Sequence, residues 1–209
     1  MIERFPLENF GVLALQKSKH NNPFCGDSYY IKETDHFLLC VLADGLGSGQ
    51  GANEAAERVT NTAKKLYDQP IDLIMERIND ALVNYRGAVV SIFKILFKEK
   101  KVSYCGIGNI KLSIHPIEGK PIIPIPQQGF LTGRPIHCQV QTFVYPSLAL
   151  FVMHSDGVVF RSNRVSDIKS LYRMLIEEEL ERSFETFSER YDDDMTLLIG
   201  RPKEAKATI

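Results

Sequence analysis

The order of two hydrophobic periods along the chain restricts the fold more than any other feature. The first part of the sequence consists of short, strand-like apolar runs separated by turn signals. Two stripes with a helical period then follow, over residues 52–66 and 71–85. Strand-like runs resume over residues 88–154, a third helical stripe covers residues 168–180, and residues 196–200 indicate a last strand.

This order predicts an α+β fold in which two stacked, mainly antiparallel sheets carry their helices on the outside. Successive strands joined by short turns pair antiparallel, and an amphipathic helix buries its apolar stripe against a sheet. Asn53 is a candidate N-cap for the first helix. Residues 116–135, with five prolines, resemble a linker, but apolar runs continue on both sides. We therefore expect a single domain over residues 1–209.

Charge and hydropathy exclude several classes of protein. Lys and Arg total 25 and Asp and Glu total 26, so the formal net charge of -1 gives no field that would attract nucleic acid or an anionic membrane. The apolar runs are far shorter than the ~18 residues of a membrane span, and a signal pattern is absent, so a cytoplasmic protein is expected. The four cysteines form no Cys-x-x-Cys pair, which predicts neither a disulfide nor a zinc site.

Acidic residues recur where the predicted elements meet. Asp27 follows a glycine, Asp44 and Asp156 each precede one, and Asp193 and Asp194 come just before the last strand. A single Asp-Gly pair is most simply a turn, because Asp bonds to nearby backbone and glycine accepts a positive φ. Several such aspartates at the ends of strands can converge at one sheet edge. Carboxylates gathered there need a cation, and their hard oxygens favour Mg²⁺ or Mn²⁺ over Zn²⁺.

Six short motifs occur in a recognisable order. They are Gly26-Asp27, the run from Asp44 to Gly49, Arg86-Gly87-Ala88, Gly106-Ile107-Gly108-Asn109, Ser155-Asp156-Gly157 and Asp193-Asp194-Met195-Thr196. Together they resemble the PPM-type metal-dependent serine/threonine protein phosphatases, in the SpoIIE-like branch. The resemblance covers a core of about residues 12–200 and implies a four-layer αββα sandwich.

The resemblance also implies roles for individual residues. Asp44 matches an aspartate that bridges two metal ions, Mn²⁺ or Mg²⁺, and the Gly45 carbonyl matches a ligand of one of them. Asp156 and Asp193 match carboxylates of the second metal, and Asp27 matches one that holds the first metal largely through water. By this resemblance Asp44, Asp156 and Asp193 are the catalytic residues, and a water activated by the two metals attacks phosphorus in line.

Three positions depart from the family pattern. Residues 20–25 contain no arginine, where larger relatives have one that binds phosphate. Leu46 stands where those relatives have a histidine that can donate a proton. Asp194 stands where many relatives have asparagine, and its carboxylate would either add negative charge around the metals or cap the last strand. The sequence leaves both roles open.

The motifs and the resemblance predict a phosphatase that hydrolyses phosphoserine or phosphothreonine on a partner-switching regulatory protein of the STAS type, in bacterial stress signalling. Two alternatives are a catalytically silent module that binds a phosphoprotein and a two-metal nuclease, which would need a basic face. We expect the substrate protein to dock outside the metal site. Phe130 and Leu131, in the proline-rich segment, are the candidate anchor, and the alternative is that they pack over the core.

Overall fold

The computed structural model describes residues 1–158 and 193–203. The strands in these ranges are β1 Ile2–Pro6, β2 Phe10–Lys17, β3 Asp27–Glu33, β4 Phe37–Gly45, β5 Ala88–Leu96, β6 Lys101–Ile107, β7 Lys111–His115, β8 Gln141–Val144, β9 Leu150–His154 and β10 Met195–Pro202. The helices are α1 Gln50–Lys65 and α2 Ile71–Ala81, and a short 3-10 helix spans Lys19–Asn21.

The strands form two stacked sheets of five, in the orders β1-β2-β10-β9-β7 and β3-β4-β5-β6-β8. All neighbouring strands are antiparallel, which confirms the predicted arrangement. Helices α1 and α2 cover the outer face of the second sheet. The helix predicted over residues 168–180 lies outside the described residues. Among the helices that the structure describes, none is long and apolar enough to cross a membrane.

Strand β4 explains why the sequence shows a continuous apolar run there instead of an alternating one. Cys40 and Leu42 face the core between the two sheets, whereas Val41 and Ala43 pack beneath the helices. A strand covered on both faces has no polar side, so every position favours an apolar residue. The run ends at Asp44, next to the last residue of the strand, where the chain leaves the sheet.

Strand β1 was not predicted from the sequence. It pairs with β2 at the outer edge of the first sheet, and most of its side chains are exposed. Because Ile2 and Pro6 are exposed like Glu3 and Arg4, and only Phe5 is partly buried, the segment carries no alternating hydrophobic signal.

The prediction that the chain has no disulfide is wrong. Cys105 in β6 and Cys138 in the segment before β8 form a disulfide across 33 residues of chain, with their Cα atoms 6.6 Å apart. The disulfide forms because the proline-rich segment folds back onto the second sheet. There the backbone of Gln127 pairs with Ile107, and the backbone of Leu131 pairs with Ala88. The other cysteines, at positions 25 and 40, are free thiols.

Candidate metal centre

The ends of four strands bring the predicted aspartates to one edge of the stacked sheets. Asp27 opens β3 and is paired in register with Asp44 at the end of β4. Asp156 follows β9 and Asp193 precedes β10, and these two strands are neighbours in the other sheet. The negative charges of Asp27, Asp156 and Asp193 all raise the pKa of Asp44, so both sheets contribute to one acidic cluster.

Asp27 is the most buried member of this cluster, with 3% of its surface exposed. Its Oδ2 accepts a hydrogen bond of 2.7 Å from Ser155 Oγ, which in turn accepts one of 2.9 Å from the backbone N–H of Thr196. By hydrogen-bond geometry its buried Oδ1 has no partner among the described residues, although the nearby Thr196 hydroxyl, like that of Ser155, lowers the pKa of the Asp27 carboxyl. Burial, and the charges of nearby carboxylates, raise the pKa of Asp27 to about 7.

The other carboxylates differ in their surroundings. Asp44 is half-buried, and burial followed by the charge of Asp27 raises its pKa to about 8. Asp156 is more exposed, and its Oδ2 accepts a hydrogen bond of 2.7 Å from Asn109 Nδ2. Partial burial and the charge of Asp193 raise the pKa of Asp156. Without a counter-ion these aspartates cannot all ionise at neutral pH without strong repulsion.

The donor set fits hard divalent cations that keep part of their water shell. The unpaired, buried Oδ1 of Asp27 is a ready acceptor for a cation or for a water bound to one. No three His, Cys, Asp or Glu side chains in residues 1–158 and 193–203 enclose a common point closely enough to hold an ion alone. Mg²⁺ commonly binds proteins through one or two carboxylates and retains several waters, which suits this open arrangement.

Gly45 has a structural reason to be glycine besides the metal role that the resemblance implies. A Cβ at this position would lie 1.9 Å from the carbonyl oxygen of Ala52 in α1. The close approach of helix backbone to strand end therefore excludes a side chain. This close approach places the start of α1 directly beside the acidic cluster.

The Asp194 carboxylate holds the segment that precedes β3 through two hydrogen bonds. Its Oδ1 accepts a hydrogen bond from the backbone N–H of Lys19 and its Oδ2 accepts one from Gly26, both at 2.8 Å. The carboxylate is buried, and its charge also raises the pKa values of Asp27 and Asp44. The residue therefore adds charge to the cluster, but its hydrogen bonds cap the distant 18–26 segment rather than its own strand.

The structure shows further side chains that position the site and that the sequence alone did not reveal. Asn53 does not cap α1, which begins at Gln50; its Nδ2 donates a hydrogen bond of 2.9 Å to the Cys25 carbonyl. Ser155 and Asn109 both lie within the motifs, so their positions carried a signal, but only the fold shows which carboxylate each one contacts. Asn53 carried no such signal, because its partner lies 28 residues away.

Two potentially reactive side chains near the cluster are uncharged at neutral pH. His154 is buried, its Nδ1 donates to the Ser155 carbonyl at 2.8 Å, and burial lowers its pKa to about 4. Burial and the charge of Asp27 raise the pKa of the Cys25 thiol well above its ordinary value. The aspartates therefore dominate the charge of the site.

The metal-free protein is expected to lose stability as the pH rises from about 4 to about 8. Asp27 and Asp44 have folded-state pKa values of about 7 and about 8, against an ordinary value of 3.8. The folded state binds more protons in this window, so the stability that these groups contribute is present below the ordinary pKa and is lost as the pH passes the folded pKa.

Thermal unfolding with EDTA or with Mn²⁺ measures this effect. Because a cation can replace the lost protons, the gain in Tm with Mn²⁺ should be larger at about pH 8 than at about pH 6. A gain that is independent of pH would contradict the prediction.

Comparison with known proteins identifies the family. The profile described as "Stage II sporulation protein E (SpoIIE)" matches residues 34–203. Phosphoserine phosphatase RsbX of Bacillus subtilis (strain 168) is 34% identical over 202 residues, covering 96% of this chain and 99% of the relative. A crystal structure of RsbX in complex with magnesium superposes with a TM-score of 0.84 at 31% identity, covering 97% of this chain and 100% of the other.

A more distant structure shares the fold. The catalytic domain of the serine/threonine protein phosphatase PstP, in complex with two manganese ions, has a TM-score of 0.72 at 16% identity, covering 94% of this chain and 99% of the other. The two antiparallel sheets thus match a phosphatase fold, and the RsbX identity extends over almost the whole chain. The profile match and this identity show that the chain belongs to the SpoIIE family.

Proposed function

We propose that the protein is a divalent-metal-dependent phosphatase that removes phosphate from phosphoserine or phosphothreonine on a cytoplasmic regulatory protein. The observation that carries the proposal is the buried Asp27 carboxylate, with its unpaired Oδ1, next to Asp44, Asp156 and Asp193. The similarity of the chain to RsbX, a phosphoserine phosphatase whose crystal structure holds magnesium, supports this reaction and this class of metal. The manganese in the PstP structure makes Mn²⁺ a second candidate.

In this proposal each described residue has a defined task. If two divalent ions bind, Asp44 would be a ligand of both, Asp156 and Asp193 would hold one ion, and the Gly45 carbonyl and Asp27, the latter largely through water, would hold the other. The ions, when bound, lower the pKa of an attacking water and offset charge on the phosphoryl oxygens.

The surrounding residues keep these ligands in place. Ser155 fixes one oxygen of Asp27 and leaves the other available, and Asn109 orients Asp156. With Leu46 after the Asp-Gly pair and His154 neutral, the proton for the leaving group comes from water or from a group other than these two side chains.

Hydrolysis of p-nitrophenyl phosphate and of a phosphoserine protein, with Mn²⁺ or Mg²⁺ and with chelator, tests the proposal. We expect turnover with metal and none with EDTA. Turnover that is independent of metal, or none with any divalent ion, would overturn it. Stable binding of a phosphoprotein without phosphate release would instead favour a silent binding module.

The proposed substrate is a folded partner-switching protein of the STAS type, which docks on the proline-rich segment. Of the two candidate anchor residues, Leu131 is fully buried in the core beneath the helices and cannot contact a partner. Phe130, which is 52% exposed, lines a cavity of about 510 Å³ together with Arg134 and Ile136. An exposed aromatic side chain beside a cation suits an apolar anchor on a phosphorylated, negatively charged partner. The intact partner should therefore be a much better substrate than a short phosphopeptide.

Phe130→Ala is expected to lower kcat/KM for the intact phosphorylated partner by about tenfold and to leave p-nitrophenyl phosphate hydrolysis unchanged. Ile125→Ala is the matched control, since Ile125 is 76% exposed in the same segment but does not line the cavity. Equal kcat/KM for peptide and intact partner in the wild-type protein would exclude docking on this segment.

A further inference from the structure

The described site is strongly negative, whereas its proposed substrate is a phosphate dianion. Asp27, Asp44, Asp156 and Asp194 all contribute negative potential there, and residues 20–25 supply no arginine. Bound cations offset part of this charge, but a directional donor for the phosphoryl oxygens is still needed. We propose that Arg86 is that donor, an inference that rests on the function proposed above.

Strand register places Arg86 next to the segment that leaves Asp44. In the β4–β5 pair, Asp44 lies opposite Val89 and Gly45 lies opposite Ala88. The backbone pairing continues past the strands, because the Leu46 N–H donates a hydrogen bond of 3.0 Å to the Gly87 carbonyl. The next residue, Arg86, therefore enters the structure beside the glycine-rich loop at the acidic edge.

The guanidinium lies directly against this loop. Its Nη1 donates a hydrogen bond of 3.2 Å to the Ser48 carbonyl. A Cβ at Gly51 would lie 2.7 Å from Arg86 Nε, and one at Gly47 would lie 3.1 Å from Nη1. Glycine at position 51 thus leaves the space that the guanidinium occupies, and the Ser48 carbonyl holds it against the loop.

Arg86 retains donors for a ligand. A guanidinium carries five N–H groups, and in the described part of the chain its one hydrogen bond is to Ser48. The side chain is exposed and makes no ion pair there; the ion pairs in the same residues belong to Arg77. A role as a helix C-terminal cation does not fit, because α2 has already ended at Ala81. The forked geometry of the remaining donors suits phosphate oxygens.

Binding of inorganic phosphate to the Mn²⁺-loaded protein, measured by calorimetry, tests the inference without requiring turnover. Arg86→Ala should raise the Kd for phosphate by about tenfold or more, with Tm and Mn²⁺ affinity unchanged. Arg86→Lys keeps the charge but loses the fork and should recover only part of the affinity. Arg77→Ala, on the exposed face of α2, is the matched control and should have no effect.

Lys111 is the competing cation, because it lies opposite His154 in the β7–β9 pair on the other flank of the site. Loss of phosphate affinity in Lys111→Ala but not in Arg86→Ala would overturn the inference, as would a wild-type protein that binds no phosphate. Parallel loss of Mn²⁺ affinity in Arg86→Ala would also overturn it, since that indicates a purely structural role for the loop contact. Phosphate binding that depends on Arg86 in a protein without turnover would uphold the inference and reject the proposed function.

Discussion

Replacing Asp44 by asparagine is expected to lower kcat/KM for p-nitrophenyl phosphate by at least about a hundredfold. Asp44 is the residue on which the charges of both sheets converge, since Asp27, Asp156, Asp193 and Asp194 all raise its pKa. Asparagine keeps the shape of the side chain and removes the negative charge. The variant should therefore lack the charged ligand that the two proposed metal ions would share, and its packing should change little.

The Asp44→Asn protein should remain folded. Removing one of several clustered carboxylates relieves repulsion, so the Tm of the metal-free variant should equal or exceed that of the wild type, most clearly above about pH 8. Stabilisation by Mn²⁺ should decrease. This combination separates loss of metal binding from loss of folding, because misfolding would lower the metal-free Tm as well.

Two further variants complete the comparison. Asp156→Asn should lose activity to a similar extent, because it removes a carboxylate on the opposite sheet of the same cluster. Asp35→Asn should behave as the wild type, since Asp35 is exposed in the turn between β3 and β4. A folded Asp44→Asn protein that keeps most of its activity would show that the metal positions proposed for this site are wrong.

The sequence predicted most of the described fold because burial on two faces leaves a clear pattern. The apolar run that forms β4 and the helical stripes of α1 and α2 are direct consequences of which faces are covered. Strand β1, at an exposed edge, has no such pattern and was missed. The aspartates could be located because each stands at or close to the start or the end of a strand, where side chains from several strands can meet.

Contacts between distant segments could not be predicted from local pattern. The Cys105–Cys138 disulfide depends on how the proline-rich segment folds back onto the second sheet. The hydrogen bond from the Gly26 N–H to Asp194 spans 168 residues. Neither cysteine nor aspartate spacing encodes such pairings, so the role of Asp194 stayed open until the fold brought both partners together.

Asp194→Asn is expected to destabilise the metal-free protein by about 1–3 kcal/mol, which corresponds to a fall in Tm of about 2–4 °C for each kcal/mol in a chain of this size. The carboxylate accepts one N–H on each oxygen, from Lys19 and from Gly26. Asparagine has one acceptor oxygen, so its amide N–H₂ group would face one of these backbone donors. That donor would lose its partner at a site where Asp194 is only 6% exposed.

The pH at which unfolding is measured decides how clearly this loss appears. The charge of Asp194 also raises the pKa values of Asp27 and Asp44, so its removal relieves repulsion once those groups ionise above about pH 7. At about pH 5 both groups are protonated in the folded protein, and the loss of the hydrogen bond should dominate. Asp194→Asn should therefore be more destabilising at about pH 5 than at about pH 8.

Asp193→Asn is the matched control, because it removes a charge one residue away but leaves both hydrogen bonds of the Asp194 carboxylate in place. It should not destabilise the metal-free protein at about pH 5, where Asp194→Asn should. Because the 18–26 segment leads directly into Asp27, Asp194→Asn should also weaken Mn²⁺ binding. Equal Tm values for Asp194→Asn and the wild type at about pH 5 would show that these hydrogen bonds do not hold the segment, and Asp194 would then act on the site through its charge alone.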